Sequence, residues 1–316
     1  MSTIPGPPFA PRAFDYAQVD VFAEAPLAGN MLAIFTDARG LSTAEMQSLA
    51  RETNLAETTF ILPRSPDIER EHGVQVRIFT TEEELRFAGH PTLGTASWLY
   101  WNHPVLRGSE SITLDLPVGP IPVRFGEQDS SRPGVFATMR QNDPVFGTIH
   151  NPAEIAKALG LTEADLDPTL PIQTVSTGMA FCIVPLRSME VASRLCIAQS
   201  TAQAYLDQSD AKFFHCITRA PEGSGVDWHA RMQFYNGEDP ATGSASGCTI
   251  AYLVRHGVAR SEQPILLEQG IEIQRPSRIY VQATREEIAS EHEPKLTKVF
   301  VGGRTIPVAM GRFFLP

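Results

Sequence analysis

Cysteine, positive charge and long apolar runs are all scarce in this sequence. Its four cysteines (Cys182, Cys196, Cys216 and Cys248) form no C-x-x-C pair and are too sparse for a disulfide scaffold. Lys+Arg 26 against Asp+Glu 36 gives a formal charge of −10. Such a chain lacks the broad positive field that draws a phosphate backbone, so no nucleic-acid partner is expected. No apolar run approaches the roughly 18 residues that span a bilayer, so no membrane association is expected. The N-terminal MSTIPGPPFAPRAF has neither n-region charge nor a long apolar h-region and does not read as a signal peptide. The eight histidines include no H-x-x-x-H pair, so no metal is expected. GSG at 223–225 is not the G-x-G-x-x-G of a nicotinamide site. GSASG at 243–247 puts Ala at the nucleophile position of G-x-S-x-G. These absences leave a reduced, cytoplasmic protein without a cofactor as the expectation.

The 42% apolar and 20% charged fractions suit a globular protein and exclude global disorder. At 316 residues two domains are expected. The boundaries read as an arm over 1–14, a first domain over 15–130 and a second over 131–316, with the last strand able to cross back to the first. From Gln18 the chain alternates as strand, turn, strand. Residues 42–54 read as a helix with Ser42 as N-cap and Glu45 at capping-box spacing. Strands are expected at 57–63, 74–80, 111–116, 121–125, 134–139, 172–175, 180–186, 211–218 and 226–235. PAEIAKALG reads as a helix capped by Asn151, with Pro152 at its first position and Gly160 at its end. The tail over 265–315 reads as strands separated by Gly and Pro.

One internal echo stands out. His90-Pro-Thr-Leu-Gly-Thr-Ala-Ser97 lies over Asp239-Pro-Ala-Thr-Gly-Ser-Ala-Ser246, with Pro, Gly, Ala and Ser identical in both copies. Each copy follows a strand and runs into a helix apolar all round, WLYWN or CTIAYLV, as a helix buried on every side must be. The reading that follows is an α/β chain of two related domains, each winding a sheet around a largely buried helix. The first turn of such a helix carries unpaired N–H groups and the positive end of the dipole, so it binds carboxylates. Gly89, Thr92, Gly94 and Thr95 in one copy, and Gly243, Ser244 and Ala245 in the other, are the candidate substrate-binding residues. Small residues at ordinary helix caps would look the same, but the duplication favours a paired site for one small carboxylate-bearing molecule.

Three titratable residues are candidates for catalysis. His90 and Asp239 occupy equivalent positions at the mouths of the two turns and could exchange protons near neutral pH. Glu57 begins an apolar strand. It reads either as polarity at a strand end or as a desolvated carboxyl whose raised pKa suits it to act as acid and base in turn. Arg231 and Tyr235 are weaker candidates for substrate contact. TTEEELRF at 80–87, with its three glutamates and Arg86, reads as a solvated acidic loop unless it lines the cleft.

GNMLAIF, NLAETTF, FAGHPTLGTA and EDPATGSASG, in that order, resemble the phenazine-biosynthesis PhzF-like family, which is related in fold to diaminopimelate epimerase. The resemblance runs from about Gln18 to the C-terminal GGRTIPVAMGRFFL. It implies the fold class α/β (α+β), two pseudo-symmetric domains, each a mostly antiparallel sheet wrapped around a central apolar helix. It further implies a cofactor-independent isomerase with its active site between the two domains, Glu57 as the proton shuttle, and His90, Asp239 and Ser244 around the substrate. It also implies a homodimer. Related epimerases carry a thiol at each of two symmetric positions. Here those turns hold Gly89-His90 and Asp239, and Cys248 is expected to pack as a small hydrophobe. The alternatives are an amino-acid epimerase without catalytic thiols, or a non-catalytic binding protein of the same fold.

Overall fold

The computed structural model of the chain describes residues 12–234, 237–286 and 295–316. Most of the proline-rich arm and Tyr235 lie outside the described residues. The first half contains β1 (Arg12–Val21), β2 (Asn30–Phe35), α1 (Thr43–Thr53), β3 (Glu57–Leu62), α2 (Pro66–His72), β4 (Val74–Phe79), the short β5 (Glu84–Leu85), α3 (Gly89–Asn102), β6 (Ser111–Leu116), β7 (Gly119–Phe125) and β8 (Val135–Arg140). The second contains β9 (Val145–Ile149), α4 (Pro152–Leu159), β10 (Gln173–Ser176), β11 (Ala180–Pro185), α5 (Met189–Arg194), α6 (Gln199–Leu206), β12 (Phe213–Arg219), β13 (Trp228–Arg231), β14 (Gln233–Phe234), β15 (Gly237–Glu238), α7 (Gly243–Arg255), β16 (Ile265–Gln269), β17 (Ser277–Glu286) and β18 (Lys295–Leu315).

The echo in the sequence is an echo in topology. β2 runs parallel to β3 and β4 parallel to β6, joined by crossovers through α1 and α3. In the second half β11 runs parallel to β12 and β13 parallel to β16, joined through α5–α6 and α7. The neighbours β1–β2, β3–β4 and β6–β7 are antiparallel, as are β10–β11, β12–β13 and β16–β17. Parallel strands need long crossovers, and in each half one crossover is the buried helix. The fold is therefore α+β, with two pseudo-symmetric, mostly antiparallel sheets, each wrapped around a central apolar helix.

The two halves close differently. β1, β2, β3, β4, β6, β7, β8 and β18 form a continuous ring around α3, because β18 pairs with β8 over Phe300–Thr305 and with β1 over Thr305–Leu315. From Lys295 to Gly302 the same strand pairs with β17, so one 21-residue strand stitches both sheets. The sheet around α7 stays open and ends at β9. Gly270 and Pro276 separate β16 from β17, as the sequence pattern predicts, but the glycines and the proline within β18 do not break it. Gly303 lies where a Cβ would sit 2.5 Å from Phe22 Cδ1. Pro307 falls beside the register shift at Gln18/Val19, a place where a missing donor costs little.

Local signals are satisfied where they are strongest. The Ser42 hydroxyl accepts from Glu45 N–H, and the Glu45 carboxylate accepts from Ser42 N–H at 2.8 Å. Asn151 Oδ1 accepts from Ala153 N–H at 2.9 Å. Residues 89–99 of α3 are all buried, as are 245–254 of α7. The strand expected over 226–235 is broken at Met232 into β13 and β14.

Candidate active site

The N-termini of α3 and α7 meet. A Cβ built on Gly89 would lie 3.5 Å from Ser244 N and 3.1 Å from Met139 Cε, so the two first turns are separated by about the width of one side chain. In α7 the first intrahelical bond into the cap runs from Ser246 N–H to Thr242 O. The N–H groups of Gly243, Ser244 and Ala245 precede it and are the donors a helix start leaves unpaired. In α3 the corresponding groups belong to Gly89 and His90, since Pro91 has no N–H and Thr92 N–H bonds Ala88 O at 3.3 Å. Gln141 Nε2 donates to Gly243 O at 2.9 Å and fixes the first turn of α7 from below.

The helices do not start in register with the echo. α3 begins at Gly89 and takes in the whole G-H-P tripeptide, whereas α7 begins four residues past Asp239. This separates the candidate binding residues into two groups. Gly94 and Thr95 lie beyond the first turn, where N–H groups are spent inside the helix. A Cβ on Gly94 would meet Leu32 Cδ2 at 2.6 Å and Val21 Cγ2 at 2.8 Å, so its smallness serves packing against β1 and β2. The Thr95 hydroxyl bonds Thr59 in the core at 2.9 Å, and the Thr92 hydroxyl donates to Ala88 O at 2.7 Å. These three are engaged within the helix and the core, whereas Gly89, Gly243, Ser244 and Ala245 lie at the facing helix starts.

Glu57, His90 and Asp239 come together there. Glu57 opens β3, and its side chain is 19% exposed, with Oε2 3.6 Å from His90 Nε2. Burial, reinforced by the Asp239 charge, pushes the Glu57 carboxyl up to about 8. Burial pulls the His90 imidazole down to about 3, against the Met31 backbone, which favours its charged form. At neutral pH the two form no ion pair: the imidazole is uncharged and the carboxyl holds its proton. Burial also pushes Asp239 up, to about 6. Hydrogen bonds from Thr242, Asn30 and the Ala241 backbone oppose that rise, and Glu238 adds to it. The two environments thus hold these carboxyls on opposite sides of neutrality.

Two residues the sequence reasoning did not single out organise this cluster. Asn30, at the start of β2, donates from Nδ2 to Asp239 Oδ1 at 2.8 Å and to Ala241 O at 3.0 Å, and lies 3.4 Å from His90 Nδ1. Gln269, at the end of β16, donates to Asp239 O at 2.7 Å and to Thr242 Oγ1 at 2.9 Å. Asn30 sits inside the quoted GNMLAIF motif, but its partners lie some 210 residues away and leave no local signal.

The remaining candidates have other partners. Arg231 is buried, bonds Glu238 through both Nε and Nη2, and donates to the carbonyls of Ala192 and Leu195, so it anchors the chain and is not free for a substrate. Glu84 of the acidic loop pairs with Arg77 at 2.5 Å, and Arg86 donates to Pro117 O at 3.2 Å. Cys248 is buried against Thr177, and burial pushes its thiol up to about 11, where it packs as an inert hydrophobe. Among the described residues no group of three or more His, Cys, Asp or Glu could hold a metal ion, and no helix is long and apolar enough to cross a membrane.

The profile of the family described as "Phenazine biosynthesis-like protein" matches residues 19–311. The trans-2,3-dihydro-3-hydroxyanthranilate isomerase of Pseudomonas aeruginosa is 36% identical over 307 residues, covering 95% of this chain and 99% of the relative. Among solved structures, a phenazine biosynthesis protein of the PhzF family from Bacillus anthracis superposes with a TM-score of 0.84 at 29% identity, covering 96% of this chain and 99% of its own. A predicted epimerase from Pseudomonas aeruginosa superposes with a TM-score of 0.77 at 35% identity, covering 95% and 99%.

Proposed function

The chain belongs to the phenazine biosynthesis-like family, and its relatives include trans-2,3-dihydro-3-hydroxyanthranilate isomerases; from that membership we propose that it moves a proton between two carbons of a small carboxylate-bearing substrate. The substrate lies between the N-termini of α3 and α7, and the reaction needs no cofactor. The observation that carries this reading is the convergence of Glu57, His90 and Asp239 beside two unpaired helix starts. The two-domain division enters on the same footing, with one domain built on α3, the other on α7, and the substrate between them.

In the proposed reaction the N–H groups of Gly89, His90, Gly243, Ser244 and Ala245 and the Ser244 hydroxyl hold the substrate carboxylate. Glu57 begins the cycle ionised and takes a proton from one carbon. The C–H electron pair moves into the conjugated system toward the carboxylate, where the helix dipoles stabilise the developing charge. Glu57 then returns the proton to a second carbon, a new C–H bond forms, and the double bond ends one position along. Glu57 finishes as it started, so nothing is consumed. In the free protein Glu57 holds its proton at neutral pH; an amine on the substrate, lodged near Glu57 and Asp239, brings the positive charge that ionises it. The substrate named for the relatives, a dihydro-hydroxyanthranilate, carries an amine next to its carboxylate. Asp239 and His90 orient that amine.

The test is incubation of the protein with trans-2,3-dihydro-3-hydroxyanthranilate and with α-amino acids in D₂O, followed by NMR. Deuterium at a ring carbon together with a shifted double bond supports the proposal. Exchange confined to the α-carbon of an amino acid would move the reading to an epimerase, and binding without exchange would make the protein a carrier. We also read the protein as a cytoplasmic homodimer. Exposed Val145 and Ile149 on the terminal strand β9 support an intersubunit contact, and the four free cysteines support a reducing compartment.

A further inference from the structure

We propose that Gln269 is a positioning residue that acts through the Thr242 hydroxyl to aim a hydrogen-bond donor at the Asp239 carboxylate. The inference rests on Asp239 belonging to the active site, as proposed above. Gln269 is fully buried at the end of β16, and its backbone is paired on both sides, with Ala230 of β13 and Ser277 of β17. Its amide makes three contacts with one short turn. Oε1 accepts from Thr242 N–H at 3.2 Å, and Nε2 donates to Asp239 O at 2.7 Å and to Thr242 Oγ1 at 2.9 Å. These partners fix which way the amide points. A flipped amide would set NH₂ against the Thr242 N–H and its oxygen against the Asp239 carbonyl, two like-against-like contacts in a buried site.

The direction of the next bond follows. A hydroxyl has one proton to give. Because Thr242 Oγ1 already accepts from Gln269, that proton goes to Asp239 Oδ2, 2.6 Å away. The order is Gln269 N–H to Thr242 O–H to Asp239 carboxylate, while Asn30 serves the other carboxylate oxygen. Both oxygens of Asp239 thus receive donors, which holds the carboxylate ionised in a buried site. The titratable groups around it are Glu57 from β3, His90 from α3 beyond Asn30, and Glu238 beside it in the chain, itself paired with Arg231. His215 of β12 lies against Gln269 from behind, bonded to Thr249 at 2.8 Å and uncharged at neutral pH because burial pulls it down to about 4.

The experiment reads Asp239 directly and needs no substrate. Full-length protein labelled with ¹³C at aspartate carboxyls is titrated by NMR, with the Asp239 signal assigned by its loss in Asp239→Asn. Gln269→Met and Thr242→Val are each expected to raise the Asp239 midpoint by about one pH unit, the size of one lost charge-assisted hydrogen bond. The double variant is expected to go no further, and Thr242→Ser to restore the wild-type value. An unmoved midpoint in Gln269→Met overturns the proposal. So does an equal shift by Gln269→Met in wild-type and Thr242→Val backgrounds, which would mean that Gln269 does not act through the hydroxyl. If Gln269→Met fails to fold, Gln269→Glu takes its place in the same cycle. The direct Coulombic effect of the added charge is present in both backgrounds and cancels in the comparison. A normal Asp239 titration with no turnover on any substrate would instead count against the proposed function and leave this relay standing.

Discussion

His90 Nε2 faces Glu57 Oε2 across 3.6 Å, and that nitrogen is buried without a hydrogen-bond partner among the described residues. A buried polar atom left unpaired costs free energy. The carboxyl pays for its position: a Glu held up to about 8 binds its proton more tightly folded than unfolded. Stability therefore falls as pH rises from about 4.5 toward 8, by about 1.4 kcal/mol per unit at most.

Glu57→Gln is accordingly expected to separate activity from stability. Loss of the general base should lower carbon–hydrogen exchange in D₂O by about 10²–10⁴-fold. The variant, freed of a carboxyl that must ionise in a buried site, should unfold at higher urea than wild type at pH 8, with little difference at pH 4.5. Urea titrations at the two pH values check this. A variant that loses stability at pH 8 would show that Glu57 makes structural bonds the site does not reveal.

The pH dependence of turnover follows from the same group. Only ionised Glu57 can accept a proton, so kcat/KM should rise as pH passes through about 8. A substrate amine bound beside it favours the ionised form, so the rise in kcat should come at lower pH than the rise in kcat/KM. Asp239 adds a step near 6, and because the two carboxyls interact, the two midpoints belong to the pair. Coincident profiles for kcat and kcat/KM would remove the amine from the proposal.

One substitution at two glycines of α3 is expected to give opposite outcomes. At Gly89 an added methyl would press only on the flexible end of Met139, at 3.1 Å, with Ser244 N at 3.5 Å and Gly243 C at 3.8 Å in ordinary contact. Gly89→Ala should fold as well as wild type, since Ala favours a helix by up to about 1 kcal/mol over Gly, and should raise KM by crowding the gap between the two helix starts. At Gly94 the methyl would press into Leu32 and Val21, and Gly94→Ala should cost about 1–3 kcal/mol as overpacking does. Thermal unfolding and steady-state kinetics on both variants distinguish the two roles.

That contrast also marks how far the sequence could be read. The caps at Ser42 and Asn151, the two apolar helices and most strands depend on residues within a few positions of one another, and they were legible. The internal echo pointed to the pseudo-symmetry that the paired crossovers display. The helix starts were not legible, because the sequence pattern aligns Gly94 with Gly243 while the chain places one in the second turn of α3 and the other at the start of α7. What holds Asp239 outside its helix is Asn30, Thr242 and Gln269, two of which come from distant strands. The six-residue α5 and eight-residue α6 are shorter than the window over which helical periodicity can be recognised.

Asn30 offers the sharpest test of that long-range wiring. Its amide joins the start of β2 to the turn before α7 and approaches His90 of α3, so it touches both halves of the site. Asn30→Ala leaves the Ala241 carbonyl and one Asp239 oxygen short of a donor, at a cost of about 1–3 kcal/mol. It also removes a bond that favours the carboxylate, so the step near 6 in the pH profile should move upward. Asn30→Asp keeps the shape but sets a third carboxyl beside Asp239 and Glu57, where like charges raise one another. It should therefore be less active than Asn30→Ala at pH 7 despite its closer fit to the wild-type side chain. If the alanine variant proves the weaker of the two, Asn30 acts through its shape, and its donor to Asp239 contributes little to the reaction.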